Sequence, residues 1–576
     1  MGGFESVVEE AAIEWLEELG WQHVSGPVLA NDGEAPERES YRTVVLEGRL
    51  RRSLKRINPH LPAEALDEVV RAVLRLDSPS LEERNHGFHK LVRNGIALKV
   101  KKAGGERGDI GWLFDFEEPG KNDWLVVSQL TVVEGNNKRR PDLVLYVNGL
   151  PLAVIEFKNP EDPNATIEGA HNQLQLYKSQ IPALFTTNEI LVVSDGTEAR
   201  VGSLTAGFER FGPWRTIDGE GLAPEVLPKI QVLLYGLFER RRFLDYIYNF
   251  VLWETEDGFV KKNAGYHQFH AANKAVAATV RASAETGDQR IGVVWHTQGS
   301  GKSIAMVYYA GKIILEPAMQ NPTMVVVTDR NDLDGQLFAQ FCAAKDLIPG
   351  PRQAEDRSHL RELLSVASGG VVFSTIQKFS LTEEERRTYS PFPMLSERRN
   401  IVVIVDEAHR TQYGFETRID PGTGHVTMGL AQNIRSALPN ASFIGFTGTP
   451  IEFDDRSTPA VFGDYIDTYT IRQAVEDGAT VPIFYEARLA RISLSEDEKP
   501  QIDDQFEEVT EDEEEPTRQK LKSTWARLEA LVGTRKRLNL VAEDILDHWD
   551  RRVEILEGKA MIVCMSRRIC VDLYNE

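Results

Sequence analysis

Apolar residues in this chain form short runs of two kinds. After residue 260 the runs are apolar throughout and rich in β-branched residues, and helical stretches lie between them. These runs are IGVVW (291–295), TMVVVT (323–328), VVFST (371–375), IVVIV (401–405) and SFIGFT (442–447). Because continuously apolar strands are typical of sheets covered on both faces, the sequence predicts a parallel sheet with crossover helices.

The N-terminal part has a mixed pattern. It opens on an amphipathic helix, FESVVEEAAIEWLEEL, and later contains the strand-like runs DWLVVSQLTVV, DLVLYV and LAVIEF. The segment KIQVLLYGLFERRRFLDYIYNFVLW has a helical pattern, and a predicted strand, AMIVCM, lies near the C-terminus. We therefore predict an α/β chain. It consists of an α+β block (residues 1–225), a helical linker (226–259), a doubly wound parallel-sheet block (260–475) and a connector (476–576).

Charge placement matters more than net charge. The 576 residues include 66 Lys+Arg and 88 Asp+Glu, a formal charge of −22. Half of this excess lies in residues 495–516, which hold 12 acidic residues and one Lys, a composition typical of a solvated linker. The net charge therefore does not exclude a nucleic-acid partner. A DNA-mimicking acidic segment is the alternative interpretation of this stretch.

The cysteines and the apolar runs limit the environment of the protein. Cys342, Cys564 and Cys570 are too few for a disulfide framework and lack zinc-site spacing. No apolar run approaches the roughly 18 residues of a membrane span, and the N-terminus lacks a secretory signal. We expect a cytoplasmic protein without membrane contacts.

A glycine-rich loop follows the run IGVVW and precedes a helical stretch. Its residues are Gln298, Gly299, Ser300, Gly301, Lys302 and Ser303. Backbone N–H groups of such a loop and of the following helix bind phosphate, while Lys302 reaches the β- and γ-phosphates and Ser303 ligates Mg²⁺. His296 occupies the first position of the GxxxxGK[ST] pattern, where glycine is expected. We predict ATP and Mg²⁺ as cofactors.

The run IVVIV ends in Asp406-Glu407-Ala408-His409. A carboxylate at the carboxyl end of a parallel strand points into the crevice where ligands bind. We predict that Asp406 holds the Mg²⁺ of Mg-ATP and that Glu407 orients or deprotonates the attacking water. An exposed helix N-terminus with acidic capping residues is the alternative for an isolated DEAH tetrapeptide.

A second constellation lies in the N-terminal block. Asp142 begins a strand, Asn148-Gly149 forms a hairpin turn, and the returning strand ends in Glu156-Phe157-Lys158. Strand alternation places Glu156 and Lys158 on one face and turns Phe157 into the core. A regular two-residue turn would put Asp142 opposite Ile155, whereas a metal site needs it opposite Glu156. We therefore predict a three- or five-residue loop, or a bulge, that includes Leu150 or Pro151.

Two facing carboxylates repel each other, and a divalent cation such as Mg²⁺ relieves that repulsion. The cation would activate water, and Lys158 would position the nucleophile. A salt-bridged surface hairpin is the alternative. The following helical segment places Gln173 and Tyr177 on one face. Glu10 of the first helix is our tentative additional metal ligand, with Glu9 and Glu5 as alternatives.

These motifs resemble known families. Asp142, Glu156 and Lys158 resemble the PD-(D/E)xK nuclease pattern, in which a Gln-x-x-x-Tyr pair often stands beside the active site. The parallel-sheet block (260–475), which contains the glycine-rich loop or P-loop and is called the P-loop block below, resembles the superfamily 2 helicases and translocases of the DEAD/DEAH type. That resemblance implies an adenine-reading role for Gln268. It also implies DNA-contact or coupling roles for Thr328, Ser374, His409, Arg410 and Thr447.

The combination resembles the R subunit of type I restriction endonucleases, through text such as RPDLVLYVNGLPLAVIEFKNP, WHTQGSGKS, FSTIQKF and FTGTPI. The resemblance implies ATP-dependent DNA translocation coupled to Mg²⁺-dependent double-strand cleavage away from the recognition site. The implied partners are double-stranded DNA and the methyltransferase and specificity subunits. The chain includes only the start of a second motor lobe, so we expect ATP binding with weak hydrolysis. The alternatives are a helicase-nuclease of another defence or repair system and an inert DNA- or partner-binding fragment.

Overall fold

The computed structural model describes residues 5–102, 105–159, 166–256, 258–328, 331–379, 392–406, 418–419, 426–427, 430–448, 452–453, 456–457, 461–485, 532–533, 535–554 and 558–576. The chain divides into two compact units, Met1–Val481 and Pro482–Glu576. The acidic segment 495–516 lies outside the described residues. No helix in the described ranges is long and apolar enough to cross a membrane.

The N-terminal block has helices on a mixed sheet. Its helices are α1 (Glu5–Glu18), α2 (Gly26–Leu29), α3 (Glu47–Ile57), α4 (Ala63–Leu74), α5 (Leu81–Asn94) and α6 (Ile167–Gln180). Its strands are β1 (Gln22–Ser25), β2 (Ile96–Lys102), β3 (Gly105–Gly111), β4 (Trp124–Ser128), β5 (Val132–Glu134), β6 (Asn137–Arg139), β7 (Leu143–Val147), β8 (Leu150–Phe157), β9 (Ile190–Ser194), β10 (Ala199–Gly202) and β11 (Gly212–Pro213). Seven strands form one sheet in the order β1-β4-β7-β8-β9-β10-β11.

The centre of this sheet carries the hairpin expected from the sequence. Strands β4, β7 and β8 are antiparallel neighbours, whereas β8 and β9 run parallel. The predicted strand DWLVVSQLTVV is interrupted, because β4 ends at Ser128 and β5 begins at Val132. Gln129 between them has a φ of 55°, in the left-handed region, so the strand cannot continue through it.

The segment between the two blocks is not wholly helical. It forms α7 (Lys229–Leu237), α8 (Arg240–Asn249), β12 (Val251–Glu254) and β13 (Val260–Asn263). The helical linker that we predicted over 226–259 is thus wrong at its C-terminal end. Side-chain oxygens of Glu239 accept hydrogen bonds from the N–H groups of Arg241 and Arg242 and cap a new helix. The apolar run Val251–Trp253 pairs with β13 as a hairpin.

The P-loop block contains a parallel sheet, as predicted. Its helices are α9 (Tyr266–Ser283), α10 (Lys302–Leu315), α11 (Asn331–Ala343), α12 (Arg357–Leu364), α13 (Leu430–Ala437) and α14 (Ile471–Glu476). Its strands are β14 (Arg290–His296), β15 (Thr323–Thr328), β16 (Arg352–Gln353), β17 (Val371–Thr375), β18 (Ile401–Asp406), β19 (Arg418–Ile419), β20 (Val426–Thr427), β21 (Ser442–Thr447), β22 (Glu452–Phe453), β23 (Arg456–Ser457) and β24 (Tyr465–Tyr469). The main sheet has the order β16-β17-β15-β18-β21-β14-β24, and every neighbouring pair is parallel.

One apolar core joins the two blocks within the first unit. Trp21 packs edge-on against Phe243 of α8, with ring centroids 5.7 Å apart. Phe250, at the end of α8, in turn lies 4.6 Å from the Phe269 ring and 5.5 Å from the Tyr308 ring. All five side chains are buried and belong to the same cluster. The N-terminal block and the P-loop block therefore pack against each other through α8.

The second unit contains α15 (Arg535–Val553) and α16 (Arg567–Asn575). The predicted strand AMIVCM is described but forms no strand there. Met561 and Val563 are 86% and 79% exposed. A strand exists only through hydrogen bonds to a neighbouring strand, and within the described part of the chain these residues have none.

A buried ion pair also holds the first unit together. The Lys261 ammonium donates to Glu189 Oε2 at 2.6 Å, to Asn85 Oδ1 at 2.9 Å and to the Asn188 carbonyl at 2.8 Å. His89 Nδ1 lies 3.2 Å from Glu189 Oε1. Both charged side chains of the pair are fully buried. The ammonium holds the pKa of Glu189 below its usual range against the opposing effect of burial.

Glu189→Ala would leave the Lys261 ammonium buried without its counter-ion, and we expect a loss of about 3–5 kcal/mol in stability. Urea unfolding followed by tryptophan fluorescence measures the loss. Glu198→Ala, which breaks an ion pair to Arg200 in which Glu198 is 54% exposed, is the matched control and should cost less than about 1 kcal/mol. Similar losses of unfolding free energy in the two variants would contradict the explanation that burial makes the Glu189–Lys261 pair costly to break.

Candidate nuclease and nucleotide sites

A bulge in the β7–β8 hairpin sets the register of the first site. Asn148 and Gly149 have φ values of 54° and 79° and form the expected two-residue turn. Val147 pairs with Leu150 and Tyr146 with Pro151, but Leu145 pairs with Ala153, so Leu152 is extra. The prediction of a bulge is confirmed, although it lies at Leu152 and not at Leu150 or Pro151.

The bulge brings the predicted acidic residues face to face. Leu143 pairs with Ile155, so Asp142 comes opposite Glu156. Asp142 Oδ2 accepts a hydrogen bond of 2.8 Å from the N–H of Phe157, which fixes the orientation of the carboxylate. The Lys158 ammonium lies 3.5 Å from Glu156 Oε1. Phe157 itself is buried in the core on the other side, as the strand alternation predicted.

Helix α6 adds two polar side chains to this cluster. Gln173 Nε2 donates to Glu156 Oε1 and, at 2.5 Å, to the Tyr177 hydroxyl, while Gln173 Oε1 accepts from the Lys158 ammonium at 2.5 Å. The Tyr177 hydroxyl lies 3.4 Å from Glu156 Oε1. The structure therefore brings together the five residues that the sequence suggested for this site. The helix begins where Thr166 caps it by accepting from the N–H of Gly169.

The Glu156 carboxyl group is the electrostatic centre of the cluster. It is 1% exposed, and its Oε2 has no hydrogen-bond partner among the described residues. Burial, and then the nearby Asp142 carboxylate, raise the pKa of Glu156 well above its usual value. A hard divalent cation would satisfy the free oxygen and the facing carboxylates. Since the described residues contain no group of three acidic, imidazole or thiolate side chains suited to a metal, a cation here would keep several water ligands, as Mg²⁺ does.

A carboxylate of α1 does reach this region, but it is not Glu10. Glu10 is exposed, whereas Glu9 Oε2 accepts a 2.7 Å hydrogen bond from Gln129 Nε2. The same nitrogen lies 3.4 Å from Asp142 Oδ1. Glu9, one of the alternatives to Glu10, therefore contacts the same amide as Asp142, and a metal-binding role for any of these glutamates stays a prediction. The helical phase of the buried positions Ala12 and Leu16 could have indicated this, because Glu9 lies one turn before Ala12.

The glycine-rich loop lies between β14 and α10. Gly299 and Gly301 have φ values of 82° and 80°, a conformation that side chains with a Cβ rarely adopt. The Ser300 hydroxyl donates to the Thr297 carbonyl at 2.6 Å and closes the loop. His296 is buried, and its Nε2 lies 2.8 Å from Asp467 Oδ2 on β24. The His296 departure from the glycine pattern thus has a structural explanation: its ring joins two strands of the sheet.

Helix α9 holds this loop from one side. Gln268 Nε2 donates to the carbonyls of Ser300 and Gly301 at 3.3 and 3.1 Å, and Gln268 Oε1 accepts from the Gly265 N–H. His267 Nε2 lies 3.0 Å from the Ser300 carbonyl. Burial, and then the neighbouring His296, lower the pKa of His267 to about 3, so its ring is neutral at pH 7 and donates from Nε2. Gln268 thus contacts the loop in addition to any contact with adenine.

The other predicted residues that the structure describes lie at or near the carboxyl ends of the parallel strands. Thr328, Ser374, Asp406 and Thr447 end β15, β17, β18 and β21, or lie next to the last residue, at one edge of the sheet. Gly448 follows β21, and a Cβ placed on it would lie 3.1 Å from the Lys302 ammonium. Gln298 lies against the same glycine, and Ser303 lies in the first turn of α10. Glu407, His409 and Arg410 lie outside the described residues.

One polar network near the loop was not expected from the sequence. Asp477 Oδ2 accepts from the hydroxyls of Tyr266 and Tyr469 at 2.8 and 2.7 Å, and Asp477 Oδ1 accepts from Arg215 at 2.9 Å. The Tyr469 ring stacks on His267 with centroids 4.0 Å apart and planes 6° apart. Residues far apart in sequence form this network, so no short-range pattern could have revealed it.

Comparisons with known proteins give both parts of the chain a family. The family model described as type I restriction enzyme R protein N terminus matches residues 5–210, and the SWI2/SNF2 ATPase model matches residues 267–519. A Haemophilus influenzae protein described as the type I restriction enzyme HindI endonuclease subunit is 46% identical over 99% of this chain and 54% of its own length.

The chain belongs to the type I restriction enzyme R protein family. A second relative, from Methanocaldococcus jannaschii and provisionally described as a type I restriction enzyme MjaIXP endonuclease subunit, is 37% identical over 99% of this chain and 54% of its own. The chain thus spans about half the length of these relatives. A fragment structure of a provisionally assigned HsdR subunit from Vibrio vulnificus YJ016 aligns over 61% of this chain and 56% of its own, with 19% identity and a TM-score of 0.25.

Replacing the buried carboxyl group should change how the stability of this R-family chain depends on pH. The folded state keeps the Glu156 proton while the unfolded chain ionises near pH 4.5, so wild-type stability should fall as the pH rises above that value. Glu156→Gln has the same shape and no charge, and we expect it to be more stable than wild type at pH 8 and similar near pH 4. Urea titrations in EDTA at several pH values measure this; a pH-independent difference would contradict it.

A Cβ at Gly301 should damage the nucleotide loop. It would lie 2.5 Å from Gln268 Nε2, and alanine is strained at a φ of 80° by about 1–2 kcal/mol. We expect Gly301→Ala to weaken binding of a fluorescent ATP analogue at least tenfold, measured by fluorescence anisotropy. Gly221→Ala, at a position where a Cβ meets nothing within 4 Å, is the control. Wild-type affinity in Gly301→Ala would refute the assignment of the loop.

Proposed function

We propose that residues Asp142, Glu156 and Lys158 form a Mg²⁺-dependent DNA endonuclease site. The observation that carries the proposal is the pair of facing carboxylates, one of them fully buried with a free oxygen, beside the Lys158 ammonium. Asp142 and Glu156 would hold the cation, which supplies polarisation of the scissile phosphate and an activated water. Lys158 places positive charge beside the phosphate, and Gln173 holds both Lys158 and Glu156 in place.

The P-loop block binds Mg-ATP in this proposal. Lys302 and the loop N–H groups contact the phosphates, Ser303 and Asp406 hold the Mg²⁺, Glu407 orients the attacking water, and Gln268 reads adenine. Thr328, Ser374, Thr447, His409 and Arg410 couple hydrolysis to DNA movement. The support is their common place at the carboxyl edge of a parallel sheet, for those that the structure describes.

In this proposal the two sites belong to an R subunit that translocates double-stranded DNA with ATP and cleaves it away from the recognition site. The proposed partners are the methyltransferase and specificity subunits of the same system, in the cytoplasm. Family membership and the coexistence of the two sites in one chain support this proposal. The domain limits at 225, 259 and 475 remain proposals too, because the first compact unit includes all three positions.

Two variants of the full chain should separate the two activities. Asp142→Ala removes a metal ligand, and we expect at least a hundredfold loss of Mg²⁺-dependent nicking of supercoiled plasmid with unchanged binding of a fluorescent ATP analogue. Lys302→Ala should abolish analogue binding and leave Mn²⁺ binding at the nuclease site intact. Gel electrophoresis measures nicking, fluorescence anisotropy measures analogue binding, and calorimetry measures Mn²⁺ binding. Nicking that persists in Asp142→Ala would refute the nuclease assignment.

A further inference from the structure

A cavity of about 450 Å³ is lined by residues of the N-terminal block and of helices α8, α9 and α10. Sites for small molecules have volumes of roughly 300–1,000 Å³. No described residue of the proposed nuclease site or of the glycine-rich loop lines this cavity. Helix α9 shows the separation, because His267 and Gln268 contact Ser300 whereas His270 and Asn273 line the cavity. The cavity is therefore available for a ligand of its own.

Two guanidinium groups give the cavity an excess of positive charge. The ammonium of Lys312 is neutralised by the Asp245 carboxylate, which leaves Arg241 and Arg242 against Asp218 among the lining charges. Neither arginine forms an ion pair within the described part of the chain. Arg242 donates from Nε and Nη2 to two backbone carbonyls, which hold the guanidinium in place. Paired guanidinium groups are the preferred protein partners of phosphate, because they donate parallel hydrogen bonds to its oxygens.

Other lining groups suit the remaining parts of a nucleotide. The rings of Phe116 and Tyr248, with centroids 4.4 Å apart, supply an apolar wall against which a planar base packs. Asn273 Oδ1 accepts from the Lys312 ammonium, so its Nδ2 remains as a donor for a base edge. Asp218 Oδ1 accepts from a backbone N–H, and its second oxygen remains for a ribose hydroxyl.

His270 adds a buried imidazole to the lining. It is 7% exposed, and its Nε2 has no hydrogen-bond partner among the described residues. Burial, and then the Lys274 ammonium, lower the pKa of His270 to about 4, so the ring is neutral at pH 7 and has one donor and one acceptor nitrogen. A buried polar atom without a partner costs free energy, and a hydrogen bond from a ligand would remove that cost.

We propose that this cavity binds a free ribonucleoside monophosphate, with the phosphate on Arg241 and Arg242, the base against Phe116 and the ribose on Asp218. A nucleotide of single-stranded DNA offers the same phosphate and base. The carboxylate favours the ribonucleotide, because deoxyribose lacks the 2′-hydroxyl that donates to such a group. This inference does not depend on the proposed nuclease and ATP sites.

Calorimetric titration of the full chain with AMP in EDTA tests the proposal. AMP lacks the β- and γ-phosphates that Lys302 is proposed to reach, and any AMP heat that Lys302→Ala abolishes belongs to the glycine-rich loop. Arg241 is exposed, so we expect Arg241→Gln to keep its melting temperature and to bind AMP about tenfold more weakly. Arg281→Gln, at an exposed position of α9 outside the lining, is the matched control and should bind as wild type does.

The absence of saturable AMP binding by wild type overturns the inference. Equal affinity in wild type and Arg241→Gln, or loss of all AMP heat in Lys302→Ala, overturns it as well.

Asp218→Ala tests the ribose contact through a ratio of affinities, which a general loss of stability does not change. We expect wild type to bind AMP about fivefold more tightly than 2′-deoxy-AMP, and Asp218→Ala to bind the two nearly equally. Single-stranded oligo(dA) tests the other source of the same chemistry. Binding of the oligonucleotide that depends on Arg241, without binding of AMP, would show that the cavity takes DNA and would overturn the inference of a free ribonucleotide.

Discussion

The register between β7 and β8 is the constraint on which the nuclease-like site depends. If Leu152 paired regularly with β7 instead of forming a bulge, every side chain of β8 beyond it would exchange faces relative to β7, because strand side chains alternate. Glu156 would then enter the core that holds Phe157, and Ile155 would stand opposite Asp142. The two-residue Asn148-Gly149 turn fixes one end of the hairpin, and the Phe157 N–H bound to Asp142 fixes the other.

That register places a buried acid beside the Asp142 carboxylate, and neutral and cationic groups complete its surroundings. Glu156 keeps a raised pKa, and Gln173, Tyr177 and Lys158 satisfy one of its oxygens while the other stays free. The Glu189–Lys261 pair solves the same problem differently, with full compensation of both charges. The carboxyl group of Glu189 has a partner for each oxygen, whereas the free oxygen of Glu156 is the basis of the proposed cation site.

The sequence predicted the parts of the fold that local patterns govern. Continuously apolar runs correctly indicated the parallel strands β14, β15, β17, β18 and β21. The requirement that Asp142 face Glu156 predicted a longer loop or a bulge, and the structure has the bulge. The patterns were misleading where apolar residues suit two structures. Val251–Trp253 continues a helical pattern but forms a strand, and the run through Gln129 breaks although every neighbour favours a strand. Contacts between distant segments, such as Lys261 with Glu189 or Arg215 with Asp477, leave no local signal.

Packing between the N-terminal block and the P-loop block limits how far the two candidate sites can move relative to each other. Trp21 packs against Phe243 and Phe250 against Phe269, and all four rings belong to one buried cluster that extends from the N-terminal block to the helices beside the P-loop. A hinge through this contact would expose several buried aromatic rings, each costing about 1.5–3 kcal/mol. The Arg215–Asp477 ion pair forms a second connection between the two blocks. Tyr469 donates to Asp477 and stacks on His267, whose Nε2 contacts the Ser300 carbonyl. These contacts link the glycine-rich loop to the N-terminal block through packed rings and hydrogen bonds, so the proposed nuclease site and the loop belong to one packed unit.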